Sequence, residues 1–175
     1  FRKAHETWGR IDILVNNAGV AVHTPTEDIT LEYWKSVVDI NLNAVFLCSR
    51  EAIRYMKKQG GGRIINMGSI SAIVPRRHSI AYAATKSAIE GLTHSLTLDG
   101  RDYGVVASYI HPGSTASGFN AARGGPGAGK TPADYIMHQE DVANVALLMA
   151  SLPPEVNLFN ATILPNHMKS FIDRG

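Results

Sequence analysis

Apolar residues along this chain fall into two patterns. Three short runs are apolar almost throughout: Ile11-Asp12-Ile13-Leu14-Val15, Arg63-Ile64-Ile65-Asn66-Met67, and Gly104 to Ile110. Short runs rich in Val and Ile read as strands buried on both faces of a parallel sheet. Asn157 to Leu164 reads as a final strand. Elsewhere the spacing is helical. From Leu31 to Lys58 the recurring apolar positions are Trp34, Val37, Val38, Leu42, Val45, Phe46, Ala52, Ile53 and Met56, which predicts one long helix. Thr30 can cap it, Glu32 suits its N-terminal dipole, and Gly60-Gly61-Gly62 ends it. Ile80 to Asp99 reads as a second helix, with a small-residue face of Ala83, Ala84, Ala88 and Gly91 that permits close packing. A third runs from Gln139 to about Leu152 and stops at Pro153-Pro154, while Phe1 to Gly9 reads as the last turns of another.

Composition narrows the class. The chain has 175 residues, 45% hydrophobic and 18% charged, which suits one soluble globular domain with a sizeable core. The net charge is +2 with no basic block, so neither nucleic acid nor a membrane surface is an expected partner. No apolar run reaches the ~18 residues that a membrane-spanning helix needs. Cys48 is the only cysteine, so no intrachain disulfide is possible, and a reducing, cytoplasmic setting is expected. The seven histidines are scattered with no i, i+4 pair, so no metal site is expected. The chain opens Phe1-Arg2-Lys3 rather than with Met, and the start of a longer protein is expected to be missing.

The candidate chemistry gathers between Gly68 and Lys86. Tyr82 and Lys86 stand four apart, so on a helix they share one face. A phenol loses its proton near pH 10, and a neighbouring ammonium lowers that value. Such a pair makes a general acid/base near neutral pH. Ser69 stands thirteen positions before Tyr82, at the carboxyl end of the Arg63 to Met67 strand, where its hydroxyl can bond the oxygen on which Tyr82 acts. Ser71 competes for that role. Asn16-Asn17-Ala18-Gly19 directly follows the first strand, and its small residues allow a ligand or a neighbouring strand to approach the backbone. Asn41 sits inside an apolar helix, where an amide must find a partner. Pro75-Arg76-Arg77-His78 reads as a solvated basic loop or as one wall of a substrate mouth.

Taken together, these residues resemble the short-chain dehydrogenase/reductase family, which carries the Ser…Tyr-x-x-x-Lys constellation at this spacing. The resemblance covers nearly the whole chain. It implies an α/β fold, a Rossmann-type doubly wound parallel sheet that is incomplete. Residues 1–175 would form a single partial domain, its rear part, with about four strands and flanking helices. The family's Thr-Gly-x-x-x-Gly-x-Gly loop is not in this sequence, so its first three strands would be missing, and the Ile11 to Val15 strand would be an exposed apolar edge. An isolated chain of this length is then expected to fold poorly or aggregate.

The resemblance also implies roles. Ser69, Tyr82 and Lys86 would be catalytic. Asn41 would complete the tetrad, at a helix distortion that holds a proton-relaying water. Asn17, Ala18 and Gly19 would line the adenosine side of an NAD or NADP cleft. Lys86 would also bind the nicotinamide ribose, with Tyr82 beside it. Pro112, Gly113, Thr115 and Ser117 would close over the nicotinamide, with Ser117 standing where the family usually has Thr. Residues 114–138, rich in Gly, would form a substrate lid. The substrate would be a small alcohol or ketone, and the two longest helices would pair between subunits of a homodimer or homotetramer. The C-terminal strand lacks the family's common Gly-Gly tail and looks more like the branch acting on 3-hydroxy acids. Two alternatives stand beside this reading. One is a sugar-nucleotide epimerase or dehydratase, which shares Tyr-x-x-x-Lys but is disfavoured by the intact Asn-Asn-Ala-Gly and Pro-Gly segments. The other is a non-catalytic fragment that binds no cofactor.

Overall fold

Four parallel strands carry the chain, in the same order along the sheet as along the sequence. They are β1 (Ile13–Asn16), β2 (Gly62–Met67), β3 (Val105–Pro112) and β4 (Asn160–Ile163). The computed structural model describes residues 1–116, 136–166 and 168. Helix α1 (Arg2–Trp8) precedes β1. Helices α2 (Leu31–Val38) and α3 (Ala44–Gln59) join β1 to β2, α4 (Ile80–Gly100) joins β2 to β3, and α5 (Gln139–Ser151) precedes β4. In register, Val15 pairs with Ile65, Ile65 with Ser108, and Tyr109 with Asn160.

Alternation along the strands sorts the core into two layers. On one face Ile64, Val105 and Ala107 pack against Ala52 and Met56 of α3. Tyr109 continues that layer with Val45 of α3 and Ile89 of α4. On the other face Ile65 and Ile110 pack against Val142 and Met149 of α5. Each fully buried Ile or Met among them contributes about 1.5–3 kcal/mol. Helices on both faces make this the Rossmann-type α/β architecture that the resemblance implied. Among the described residues no helix is long and apolar enough to cross a membrane.

The end of the sheet matches the expected apolar edge. Ile13 and Val15 share the α5 face of the sheet, but there they are 48% and 43% exposed. The opposite face of β1 is anchored by polar groups. Asn16 Nδ2 donates to Ser49 Oγ of α3 at 3.0 Å and to Asn66 Oδ1 of β2 at 2.8 Å. Asn66 in turn donates to Thr93 Oγ1 of α4 at 3.0 Å. No buried side-chain N or O among the described residues lacks a partner.

Two boundaries differ from the sequence expectation, each for a physical reason. The first strand begins at Ile13 rather than Ile11, because the Gln59 amide takes the place of a neighbouring strand. It accepts from Ile11 N–H at 3.1 Å and donates to Ile11 O at 2.8 Å. The last strand begins at Asn160 rather than Asn157, whose side chain instead donates to Ala107 O at 3.0 Å and accepts from Ser108 Oγ at 2.8 Å. The expected long helix is present, and it carries around Asn41 the local distortion that the resemblance implied. Between α2 and α3, Asp39–Asn43 form a π turn. The caps are as expected: Thr30 Oγ1 accepts from Tyr33 N–H, and Gly60 ends α3 in the left-handed region at φ 84°.

Candidate active site

Every crossover brings chain to the carboxyl ends of the strands, where open α/β sheets hold their ligands. Asn17, Ala18 and Gly19 follow β1. Gly68, Ser69 and Ser71 follow β2. Pro112, Gly113 and Thr115 close β3, and Tyr82 and Lys86 project from the first turns of α4. All of these line a single cleft of about 1220 Å³. Ser69 and Tyr82 therefore face the same space.

Lys86 lies one helical turn beyond Tyr82, with Nζ 5.7 Å from the centre of the phenol ring. It is 4% exposed, and Nζ donates to the Met67 carbonyl at the end of β2 at 2.6 Å. Burial pulls its pKa down from 10.5 to about 8. Ser69 leaves β2 in an extended conformation, and its Oγ accepts from Ser71 N–H at 3.1 Å. Ser71 also borders the cleft, but its backbone serves the Ser69 oxygen. That leaves the Ser69 hydroxyl hydrogen to donate toward the cleft.

Asn41 stands in the π turn and is completely buried. Its side-chain amide does not border the cleft directly. Oδ1 accepts from Val20 N–H at 2.8 Å, while Nδ2 donates to Val20 O at 2.9 Å and to Thr85 Oγ1 at 3.2 Å. It thus ties the loop after β1 to the residue next to Lys86. A Cβ on Gly19 would touch both Asn41 Oδ1 at 3.4 Å and Lys86 Nζ at 3.6 Å, so these three residues meet. Asn43 points elsewhere and donates to Asp39 Oδ1 on the surface. Tyr33 Oη braces the same loop by bonding both Val22 N–H and Val22 O.

Arg76 gives the basic loop a place on the cleft wall, where it donates to Ser114 Oγ at 3.1 Å. The two flanks of the expected lid are pinned together. Ala116 N–H donates to Met137 O at 2.8 Å, and Met137 N–H to Ser114 O at 2.9 Å. Ser117 and most of the segment between these flanks lie outside the described residues. Among the described residues no three His, Cys, Asp or Glu side chains gather to hold a metal.

The sequence reading passed over His111 as one of the scattered histidines. It is 2% exposed, and its Nδ1 lies 2.9 Å behind the backbone nitrogen of Ser69. The signal was a polar residue at the buried end of an apolar strand, immediately before Pro112-Gly113. Its partner Glu90, one turn beyond Lys86 on α4, was missed with it.

A parallel α/β sheet with a cleft across its strand ends defines a nucleotide-binding class of fold. The model of the short chain dehydrogenase family matches residues 1–125, and the chain belongs to that family. It is 35% identical over 158 residues to 3beta-hydroxysteroid dehydrogenase 1 of Eggerthella lenta, covering 86% of this chain and 60% of that protein. It is 36% identical over 150 residues to a 3alpha-hydroxysteroid dehydrogenase of Mediterraneibacter gnavus, covering 83% and 60%. Among solved structures, a closed form of serine dehydrogenase complexed with NADP+ aligns with a TM-score of 0.83 at 30% identity, covering 91% of this chain and 66% of that one. The chain spans 46% to 60% of the length of these curated relatives and of an oxidoreductase of Thermotoga maritima.

Proposed function

We infer that the protein carrying this chain is an NAD(P)-dependent oxidoreductase that interconverts an alcohol and a ketone, with Tyr82 as general acid/base. The observation that carries this reading is Lys86. An ammonium this deeply buried, with no carboxylate bonded to it among the described residues, is costly to hold. Such groups cluster at functional sites. Here it lies one turn from a phenol that shares a cleft with a strand-end hydroxyl.

The residues suit a nicotinamide nucleotide. Gly19 leaves bare backbone against Asn41 and Lys86, a cradle that any side chain would fill. Asn17, Ala18 and Gly19 would hold the adenosine side, and Pro112, Gly113, Thr115 and Ser117 the nicotinamide side. When bound, the nicotinamide supplies or accepts the hydride. Tyr82 gives a proton to the carbonyl oxygen in reduction and takes it back in oxidation. Lys86 favours loss of the phenol proton and holds the ribose. Ser69 donates a hydrogen bond to the same substrate oxygen. Asn41 fixes the loop beneath the cofactor, and the π turn around it would seat the relay water.

The substrate side of the cleft is bordered by Ile70, Val74, Val142, Ala146 and Met168, which suits an apolar body such as that of the steroids named for two relatives. Arg76 at the mouth favours instead a small hydroxy acid, in line with the serine dehydrogenase likeness. The outward residues Phe46, Leu47, Ala84 and Gly91 on α3 and α4 support a homodimer or homotetramer built on those helices.

The test uses the full-length protein, with NADH and NADPH and a panel holding a 3-keto steroid, its alcohol and a 3-hydroxy acid. Tyr82→Phe is expected to lower turnover by roughly 10²–10⁴-fold. Cofactor binding followed by nicotinamide fluorescence should stay nearly unchanged. Equal turnover in the variant refutes the assignment, and failure of the wild type to bind either nucleotide favours the non-catalytic alternative.

A further inference from the structure

Behind the strand-end serine lies a polar arrangement that the proposed reaction does not use. Tyr109 and His111 are alternate residues of β3, so both point toward α4, and their rings meet edge-on with centroids 4.8 Å apart. Ser69 N–H donates to His111 Nδ1 at 2.9 Å, and His111 Nε2 lies 2.9 Å from Glu90 Oε1. These two contacts select the tautomer. A backbone N–H can only donate, so Nδ1 is the unprotonated acceptor. Nε2 then carries the hydrogen and donates it to the carboxylate. Burial holds the imidazole pKa below its ordinary value despite Glu90, which agrees with a neutral ring.

The packing commits the ring to this place. A Cβ on Gly68 would collide with the imidazole, so the ring fills the space beside the backbone that leads into Ser69. The next residue is then held from two sides: its N–H by His111, and its Oγ by Ser71 N–H.

We propose that His111, oriented by Glu90, is a positioning residue that fixes the backbone of Ser69 and so sets where the Ser69 hydroxyl meets the substrate oxygen. This rests on the role given to Ser69 above. A hydroxyl that must donate to one developing charge needs its backbone fixed to within about 0.5 Å. The hydroxyl sits on a short segment leaving the sheet, and a bond from a rigid neighbouring strand supplies that fixity. Protonation of Nδ1 would put a donor against the Ser69 N–H and open the clamp. The titratable groups around the ring among the described residues are Glu90 and Lys86 of α4 and Tyr109 of β3. The segment after β2 offers only backbone of Gly68 and Ser69, and β4 sets Thr162 beside it in register.

The test separates His111 from the centre it supports. In the full-length enzyme, His111→Leu should lower kcat roughly tenfold to a hundredfold, with nucleotide affinity unchanged. His111→Asn keeps an acceptor near the position of Nδ1 and should restore most of that loss. Side-chain ¹⁵N spectra of the wild type should show His111 as the Nε2–H tautomer, a readout that needs no variant to fold. Full kcat in His111→Leu, an Asn variant as slow as the Leu variant, or an Nδ1–H tautomer would each overturn the proposal. Tyr82→Phe assayed alongside keeps the two claims apart. Lost turnover there with full turnover in His111→Leu rejects only the role of His111, whereas full turnover in Tyr82→Phe rejects the centre itself.

Discussion

Asn41 and Val20 exchange two hydrogen bonds: the side-chain amide accepts from the backbone N–H at 2.8 Å and donates to the backbone carbonyl of the same residue at 2.9 Å. A primary amide presents a donor and an acceptor side by side, as a peptide unit does. It therefore serves the loop after β1 as a strand would, without one being there. The loop it holds is the one that floors the cleft.

Replacing this amide by a near-isosteric hydrocarbon removes both partners of the half-buried Val20 backbone and the buried donor to Thr85 Oγ1. Asn41→Leu is expected to lower the unfolding free energy by about 2–4 kcal/mol. Urea denaturation of the two proteins checks it. A Leu variant as stable as the wild type would mean that the amide is only core filling.

Lys86 makes stability depend on pH in a stated direction. The unfolded chain keeps this proton to about pH 10.5 and the folded protein only to about 8. Between those values the unfolded state binds more protons, so stability rises with pH across that window. Below it the folded protein carries the full cost of the buried charge, roughly 3 kcal/mol. Lys86→Met removes that charge but also takes the hydrogen bond from Met67 O, worth about 1 kcal/mol. The Met variant should then be about 1–2 kcal/mol more stable than wild type at pH 7 and lose that advantage toward pH 10. Parallel stability curves for the two proteins across that range would contradict this.

Two glycines of α4 should respond in opposite directions. Gly91 faces open space, and a Cβ there meets nothing within 4 Å. In the isolated subunit Gly91→Ala should stabilise by about 0.5–1 kcal/mol through helix propensity alone. Gly100 ends the helix against β3, where a Cβ would stand 2.7 Å from Val105 O and 2.8 Å from Val105 Cβ. Gly100→Ala should destabilise by about 1–3 kcal/mol. Thermal melts of the pair, run side by side, test the sign as well as the size.

Arg63 is the second residue of β2 yet works just past the end of α5. Its Nη2 donates to the carbonyls of Leu152, Pro153 and Val156, which ties down the turn that leads from α5 toward β4. Arg63→Met should cost about 2–4 kcal/mol by leaving those acceptors bare. It should also raise amide exchange between residues 152 and 159 ahead of the rest of the protein. Uniform loss of protection across the sheet would argue that the guanidinium matters only for packing.

What could be read in the residues was whatever depended on near neighbours. The apolar run at Arg63 to Met67, the Thr30 cap, the Gly60 stop and the spacing of Tyr82 and Lys86 are all local, and the structure carries each of them. The place of Ser69 on the same cleft as Tyr82 was also legible, because a strand end and a helix start are joined by a short loop. The departures come from side chains whose partners are distant. The first strand is shortened by Gln59, 48 positions from Ile11, while the distortion at Asn41, whose amide is bonded 21 positions away, was legible only through the family resemblance. The partners of His111 were illegible for the same reason: they stand 42 and 21 positions off, and only strand register and the packing of α4 bring them together. Ser117 belongs to the segment outside the described residues.

The π turn also sets a phase. Every residue in a helix advances its face by about 100°, so the extra residue between Asp39 and Asn43 fixes how far α2 is rotated relative to α3. α3 is seated on the sheet through Val45, Ala52 and Met56, while α2 presents Tyr33 to Val22. Deleting one residue from that turn would leave α3 where it is and swing Tyr33 a quarter-turn off its loop. Apart from Asn41, chains built on this plan should accept changes of residue there far more readily than changes of length.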